Sequence, residues 1–180
     1  VIIGGRDVSK AQESAVHLGL DSSAGMLNVD AANSCEIACL TVPFAHQEST
    51  LLSIEDGLAN KIMIDATVPL MPPKVMRVQL PKIGSAALNA QAILGENTTV
   101  VSAFQNISAE LLQTDADIDC DVLVAGDLID ARNTVIELAA DAGLTGWHAG
   151  PLCNSVAAEA LTSILIAINK KHSLAHSGIK

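Results

Sequence analysis

An α/β domain with a mainly parallel sheet and a small C-terminal helical part is what this sequence predicts. Short runs rich in Val and Ile recur along the chain, and longer stretches with helical spacing separate them. Strands alternating with helices imply βαβ units, whose crossovers are right-handed. Composition agrees: 49% of the 180 residues are hydrophobic and 17% charged, enough apolar material for a core and too much for a disordered chain. Phe44, Phe104 and Trp147 are the aromatic residues, so the core must be aliphatic and rich in alanine.

The elements follow in order. Residues 1–4 read as a strand and 7–18 as a helix. Residues 26–29 suit a short strand, and 30–34 a short helix or turn. Residues 36–41 form a strand ending at Val42-Pro43, 46–55 a helix, and 61–65 the next strand. Strands are expected again over 100–104 and 121–125, a helix over 128–142 that stops at Gly143, and an edge strand over 146–148. Residues 154–171 make a long helix, apolar around most of its surface and so buried against the body or another subunit. Residues 68–83 hold four of the six prolines, which excludes helix interiors and central strands. An extended loop of that length suits a lid or binding loop. The division falls between a binding domain over 1–149 and a helical segment over 150–180 that packs on it.

Several functions are excluded. Net charge is −10, and no basic stripe is present for nucleic acid. No uninterrupted apolar run approaches the roughly 18 residues that cross a bilayer; the longest candidate, 157–169, is broken by Glu159, Thr162 and Ser163. No signal peptide is visible. Cys35, Cys39, Cys120 and Cys153 lack metal-ligand spacing, and Asp119, Asp121 and Asp127 look like strand boundaries. Buried thiols, no metal and a reducing cytoplasm are expected.

The richest signal lies in Val1-Ile2-Ile3-Gly4-Gly5-Arg6. A strand runs into two glycines and an arginine, with Lys10 one turn further on. This looks like the end of the second strand of a dinucleotide-binding fold. An acid there would bind a free ribose 2′-hydroxyl, whereas an arginine accommodates a 2′-phosphate. Arg6 and Lys10 near a helix N-terminus run against the usual preference for acids, a conflict that a bound phosphate removes. NADP is therefore expected rather than NAD. The Gly-rich strand, turn and helix that precede such a strand are not found before Val1. Two expectations follow: the sequence is part of a longer protein, or the chain lacks that unit, binds dinucleotides weakly and exposes its sheet interior.

Ligands of open parallel sheets bind outside the carboxyl ends of the strands. Those ends carry Gly5 and Arg6, then Thr41, Val42 and Pro43 with His46 just beyond, then Thr67, then Gln105, Asn106 and Ile107. No His pairs with a Ser or Cys in a nucleophile pattern, and amides are poor acids and bases. Catalytic residues are expected to be none. Hydride transfer between two bound cofactors meets that description, because the protein only positions them.

Six segments carry a resemblance: Val100-Val-Ser-Ala-Phe-Gln-Asn-Ile-Ser-Ala109, Cys120-Asp-Val-Leu-Val-Ala-Gly-Asp127, Ala149-Gly-Pro-Leu-Cys-Asn-Ser155, Leu40-Thr-Val-Pro-Phe-Ala-His46, Pro72-Pro-Lys74 and Glu159-Ala-Leu-Thr162. Together they resemble the NADPH-dependent coenzyme F420 reductases, in the family's order and over nearly the whole chain. The resemblance implies a Rossmann-type domain, often in homo-oligomers, and hydride transfer between NADP(H) and the 5-deazaflavin of F420. It places the 2′-phosphate at Arg6 and Lys10. It places cofactor contacts at Thr41, Val42, Pro43 and His46, and the reacting rings near residues 104–109. Gln105, Asn106 and Ser108 depart from members with His, Thr and Pro there, which leaves their individual roles open. Two rival readings remain. One is an NADPH-dependent reductase of a small imine, ketone or metal chelate, which would need a proton donor. The other is a non-catalytic cofactor-sensing or scaffold module.

Overall fold

A computed structural model describes residues 1–113, 118–174 and 176–180. Strand β1 (Ile3–Gly5) leads into helix α1 (Val8–His17). Asp7 starts that helix: its carboxylate accepts the Lys10 backbone N–H at 3.1 Å. Ala11 and Ala15 turn inward and bring α1 down onto β2 (Gly25–Leu27). The approach is so close that a Cβ on Gly25 would lie 2.3 Å from the Gln12 backbone nitrogen, so only glycine fits.

The chain continues through α2 (Asn28–Ser34), β3 (Ile37–Leu40), α3 (Gln47–Ile54), β4 (Ile62–Asp65), α4 (Ala86–Leu94) and β5 (Thr99–Ser102). It ends with β6 (Val122–Gly126), α5 (Ile129–Asp141), β7 (Gly146–Gly150) and α6 (Ser155–His172). The α/β class and parallel character stand: β1–β2, β3–β4, β4–β5 and β6–β7 are parallel, and β5–β6 is antiparallel. The strands form two hydrogen-bonded sheets, β1-β2 and β3-β4-β5-β6-β7. A cavity of about 680 Å³ lies between them, lined by Ile3 and Gly4 on one side and by Ala38, Cys39 and Leu40 on the other, with α2 along it.

Strand alternation splits the core into two layers. Met63 and Val100 pack with Leu51, Leu58, Ala87 and Ala90 under α3 and α4. Their neighbours Ile64 and Val101 face the other way and pack with Val124, Val135 and Ala139 under α5. Helix α4 was not expected from the sequence. Its signals are nevertheless present: Ser85 accepts the Leu88 N–H at 3.0 Å as N-cap, and Gly95 closes it at φ 66°. The segment 68–83 has no helix or strand, and exposes Met71, Met76, Val78 and Leu80.

One expectation needs correction. Residues Leu152–His172 form a 21-residue helical stretch with a mean hydropathy of 1.4, long and apolar enough by those two measures to cross a membrane. The polar interruptions do not shorten it, because they face inward. Ser155, Glu159 and Ser163 are buried against the body, and Glu159 bonds to α4. Such a face suits a core helix and not one surrounded by lipid.

Candidate functional site

Strands β3, β4 and β5 end level with one another: Leu40 pairs with Asp65 and Asp65 with Ser102. Two backbone bonds continue the ladder past the strand ends, Ala66 N–H to the Leu40 carbonyl at 3.1 Å and Ala103 N–H to the Asp65 carbonyl at 3.3 Å. The segments carrying Thr41, Thr67 and Gln105 therefore leave one common rim. Thr41 and Pro43 are exposed there and Val42 is half-buried. His46 is exposed in the tight turn Phe44–His46, where its N–H meets the Pro43 carbonyl at 2.8 Å.

Thr67 sits differently from the sequence expectation of a cofactor contact. It is 2% exposed, and its hydroxyl and N–H both engage the Asp65 carboxylate. The side-chain amide of Gln47 donates to Asp65 Oδ2 at 2.6 Å, to Thr67 Oγ1 at 2.9 Å and to the Ala86 carbonyl at 2.9 Å. Asn89 donates to Gln47 Oε1 at 3.1 Å. Next to this cluster, Glu159 of α6 accepts the N–H groups of Ala86 (2.6 Å) and Ala87 (3.1 Å), the first turn of α4. Burial pushes the Asp65 carboxyl up to about 6, against the hydrogen bonds from Thr67 and Gln47 that lower it. Burial likewise pushes Glu159 up to about 7, helped by the nearby Asp65 charge. The network fixes the rim from below. Gln47, Asn89 and Glu159 were absent from the sequence-based site, although an acid in an otherwise apolar helix was a readable sign at Glu159.

Phe104 turns the chain back at φ 72°, a rare conformation for a non-glycine residue, and sets Gln105 over the rim. Gln105 donates to the Asp65 carbonyl at 2.8 Å and to Ser102 Oγ at 2.7 Å. Asn106 donates to the Asp121 carbonyl at 3.2 Å. Both are buried, Ile107 half so, and the Thr162 hydroxyl of α6 donates to the Gln105 carbonyl at 3.0 Å. Helix α6 thus forms a wall beside the rim.

The remaining expected residues lie at the end of β1. Gly5 fits against Ala11, where a Cβ would come within 3.2 Å. Arg6 and Lys10 are exposed, and among the described residues the only ion pair is Lys180 with Asp119, so neither cation is matched by a carboxylate. Gly4, Thr41 and Val42 line the same cavity, which brings the β1 and β3 portions of the site together. No cluster of three metal-ligating side chains occurs among the described residues.

Comparison with known proteins identifies what this rim belongs to. The family described as NADP oxidoreductase, coenzyme F420-dependent, matches residues 1–69. The F420-dependent NADP reductase of Methanothermobacter thermautotrophicus is 40% identical over 193 residues, covering 100% of this chain and 83% of that protein. This chain belongs to the F420-dependent NADP reductase family. The reductase of Methanocaldococcus jannaschii is 34% identical, covering 100% of this chain and 86% of its own. A solved Arthrobacter sp. FB24 structure, described as that of a putative F420-dependent NADP reductase, superposes with a TM-score of 0.79 at 20% identity. It covers 100% of this chain and 87% of that one, and establishes the shared fold.

Proposed function

We infer that the protein is an oxidoreductase that passes a hydride between NADP(H) and the 5-deazaflavin of coenzyme F420. Family membership over the whole chain carries the reading. When bound, the two cofactors supply the redox chemistry, a hydride moving between nicotinamide C4 and deazaflavin C5. The chain's own residues bind, orient and shield.

The residues present fit such ligands. Arg6 and Lys10, at the turn into α1 and in its first turn, have no ion-pair partner among the described residues and suit a 2′-phosphate. Thr41, Val42, Pro43 and His46 border the path along the rim. Gly4 and Gly5 let the end of β1 pack closely on α2 and α1, where a Cβ would come within 3.0 Å of Asn28 and 3.2 Å of Ala11. Gln105, Asn106 and Ile107 follow the end of β5, with amide oxygens of the first two buried and without a hydrogen-bond partner among the described residues. Thr67 serves this site from beneath, by holding Asp65, rather than as a cofactor contact. The proline segment 68–83, with its exposed Met and Val side chains, is assigned here as the lid that would shield the site from water. Proximity and orientation then supply most of the acceleration.

The same reading divides the chain into a binding domain over residues 1–149 and a helical wall over 150–180. It places the protein in the cytoplasm, in line with its four free cysteines. It also makes the protein a homo-oligomer, with exposed Ile164 and Ile168 along α6 as contact residues, a state that light scattering reads directly.

The test of the NADP half is a pair of substitutions. Arg6→Ala and Lys10→Ala are expected to raise the KM for NADP at least tenfold, the equivalent of losing roughly 1.4 kcal/mol, while the KM for F420 stays within twofold. Equal KM values for NADP in variant and wild type would place the 2′-phosphate elsewhere.

A further inference from the structure

Two carboxyl groups lie under the rim without a balancing cation. Asp65 at the end of β4 is 0% exposed and Glu159 of α6 is 1% exposed. Among the described residues the only ion pair is Lys180 with Asp119, so no lysine or arginine neutralises either acid. Their hydrogen-bond donors are neutral. Gln47 of α3 and the Thr67 N–H donate to Asp65, and the first-turn N–H groups of α4 donate to Glu159. Ser155 acts on Glu159 and is itself bonded to Ser85 at 2.7 Å. The other ionisable neighbour is the Cys39 thiol of β3, which burial and then the Asp65 charge push up to about 11, so it stays neutral around pH 7.

Both acids belong to elements that hold the turn after β5. Gln105 donates to the Asp65 backbone carbonyl at 2.8 Å. Thr162, three residues beyond Glu159 on α6, donates to the Gln105 carbonyl at 3.0 Å. The rim assigned to the nicotinamide therefore stands directly on the elements that carry the two carboxyl groups. That ring changes its charge in the reaction: it is positive in NADP⁺ and neutral in NADPH.

We propose that Asp65 and Glu159 form a buried pair that discriminates between the two forms of the dinucleotide: the more fully the pair is ionised, the more tightly NADP⁺ is held relative to NADPH. The proposal rests on the reading of the rim as the nicotinamide site. Two uncompensated charges in one buried cluster are costly, and a proton bound by the pair relieves that cost. A positive ring at the rim relieves it instead, and the proton then leaves to water. Such coupling is reciprocal: the ring charge loosens the proton by the factor by which loss of the proton tightens the ring. Burial holds Asp65 at about 6 and Glu159 at about 7, which puts this exchange near neutral pH. Neither carboxyl gives a proton to the reacting rings. The pair acts through its charge alone and leaves the hydride step as described.

Titration calorimetry tests this by measuring the Kd of NADP⁺ and of NADPH, each alone, between about pH 5.5 and 8.5. The ratio of the two cancels the ionisation of the 2′-phosphate, which both forms share. In wild type the Kd of NADP⁺ divided by that of NADPH is expected to fall about tenfold as pH rises. Titrations in two buffers of different ionisation enthalpy should show NADP⁺ binding releasing more protons than NADPH binding. Glu159→Gln cannot ionise and is expected to flatten the upper part of the dependence, and Asp65→Asn the lower part. His46 is exposed at the rim and is the rival source of such a dependence. A tenfold fall that persists in folded Glu159→Gln and Asp65→Asn would assign it to His46 and overturn the proposal. A ratio constant with pH in wild type would overturn it without any variant, while binding of both forms leaves the functional reading intact. Failure of wild type to bind either form would overturn both.

Discussion

Glu159 shows how a single side chain ties the molecule's parts together. It belongs to α6, caps the first turn of α4, and lies within electrostatic reach of Asp65 at the end of β4. Its folded value of about 7 lies above its ordinary value of 4.5. The folded state therefore holds the proton more tightly than the unfolded chain. The stability this group contributes is fully present below pH 4.5 and is lost as pH rises through 7. Asp65, raised from 3.8 to about 6, acts in the same direction over a lower window. A glutamine side chain cannot ionise, so Glu159→Gln should remove the upper part of the decline. Urea unfolding between about pH 4.5 and 8 should show the advantage of wild type over the variant shrinking by on the order of 1–3 kcal/mol. Parallel profiles would mean that Glu159 stays charged throughout.

At the scale of elements, close packing sets the geometry of the β1 end of the site. Helix α1 presents Lys10, with Arg6 in the turn just before it, in a fixed place because β2 lets the helix approach through Gly25. Gly25→Ala puts a methyl group 2.3 Å from backbone that cannot move alone. A loss of roughly 2–4 kcal/mol in unfolding free energy is expected, read from the shift in urea midpoint. A change under about 0.5 kcal/mol would mean that α1 rests on β2 more loosely than described. Much of this layer was legible in the sequence. The strands around Ile37–Leu40, Ile62–Asp65 and Val122–Gly126 follow from apolar runs, and α5 from its spacing up to Gly143. Helix α4 escaped because Ala86–Leu94 is apolar on nearly every side and its period is hidden, although Ser85 and Gly95 mark its ends. The antiparallel β5–β6 pairing and the separation of β1-β2 depend on contacts distant in sequence, which no local pattern encodes.

At the scale of the whole molecule, the rim was readable and the support beneath it was not. Strand-end residues announce themselves as small or polar groups after apolar runs, which is how Arg6, Thr41 and Gln105 came to notice. Thr67 fits the same pattern and serves inside, because a hydroxyl two residues after Asp65 satisfies that carboxylate better than it meets solvent. Gln47 and Asn89 sit on helices with nothing local to set them apart, and only the fold brings them together. The wall made by α6 completes the cleft through Thr162 and Asn169. Direct hydride transfer is the proposed reaction, in which the protein aligns two cofactors and contributes no acid or base. The measurement that tests it uses reduced F420 carrying deuterium at both C5 positions, mixed anaerobically with NADP and this chain. Mass spectrometry of the product should find the deuterium at nicotinamide C4, as deazaflavin absorbance returns. Absorbance that does not return, or NADPH formed without the label, would contradict the account.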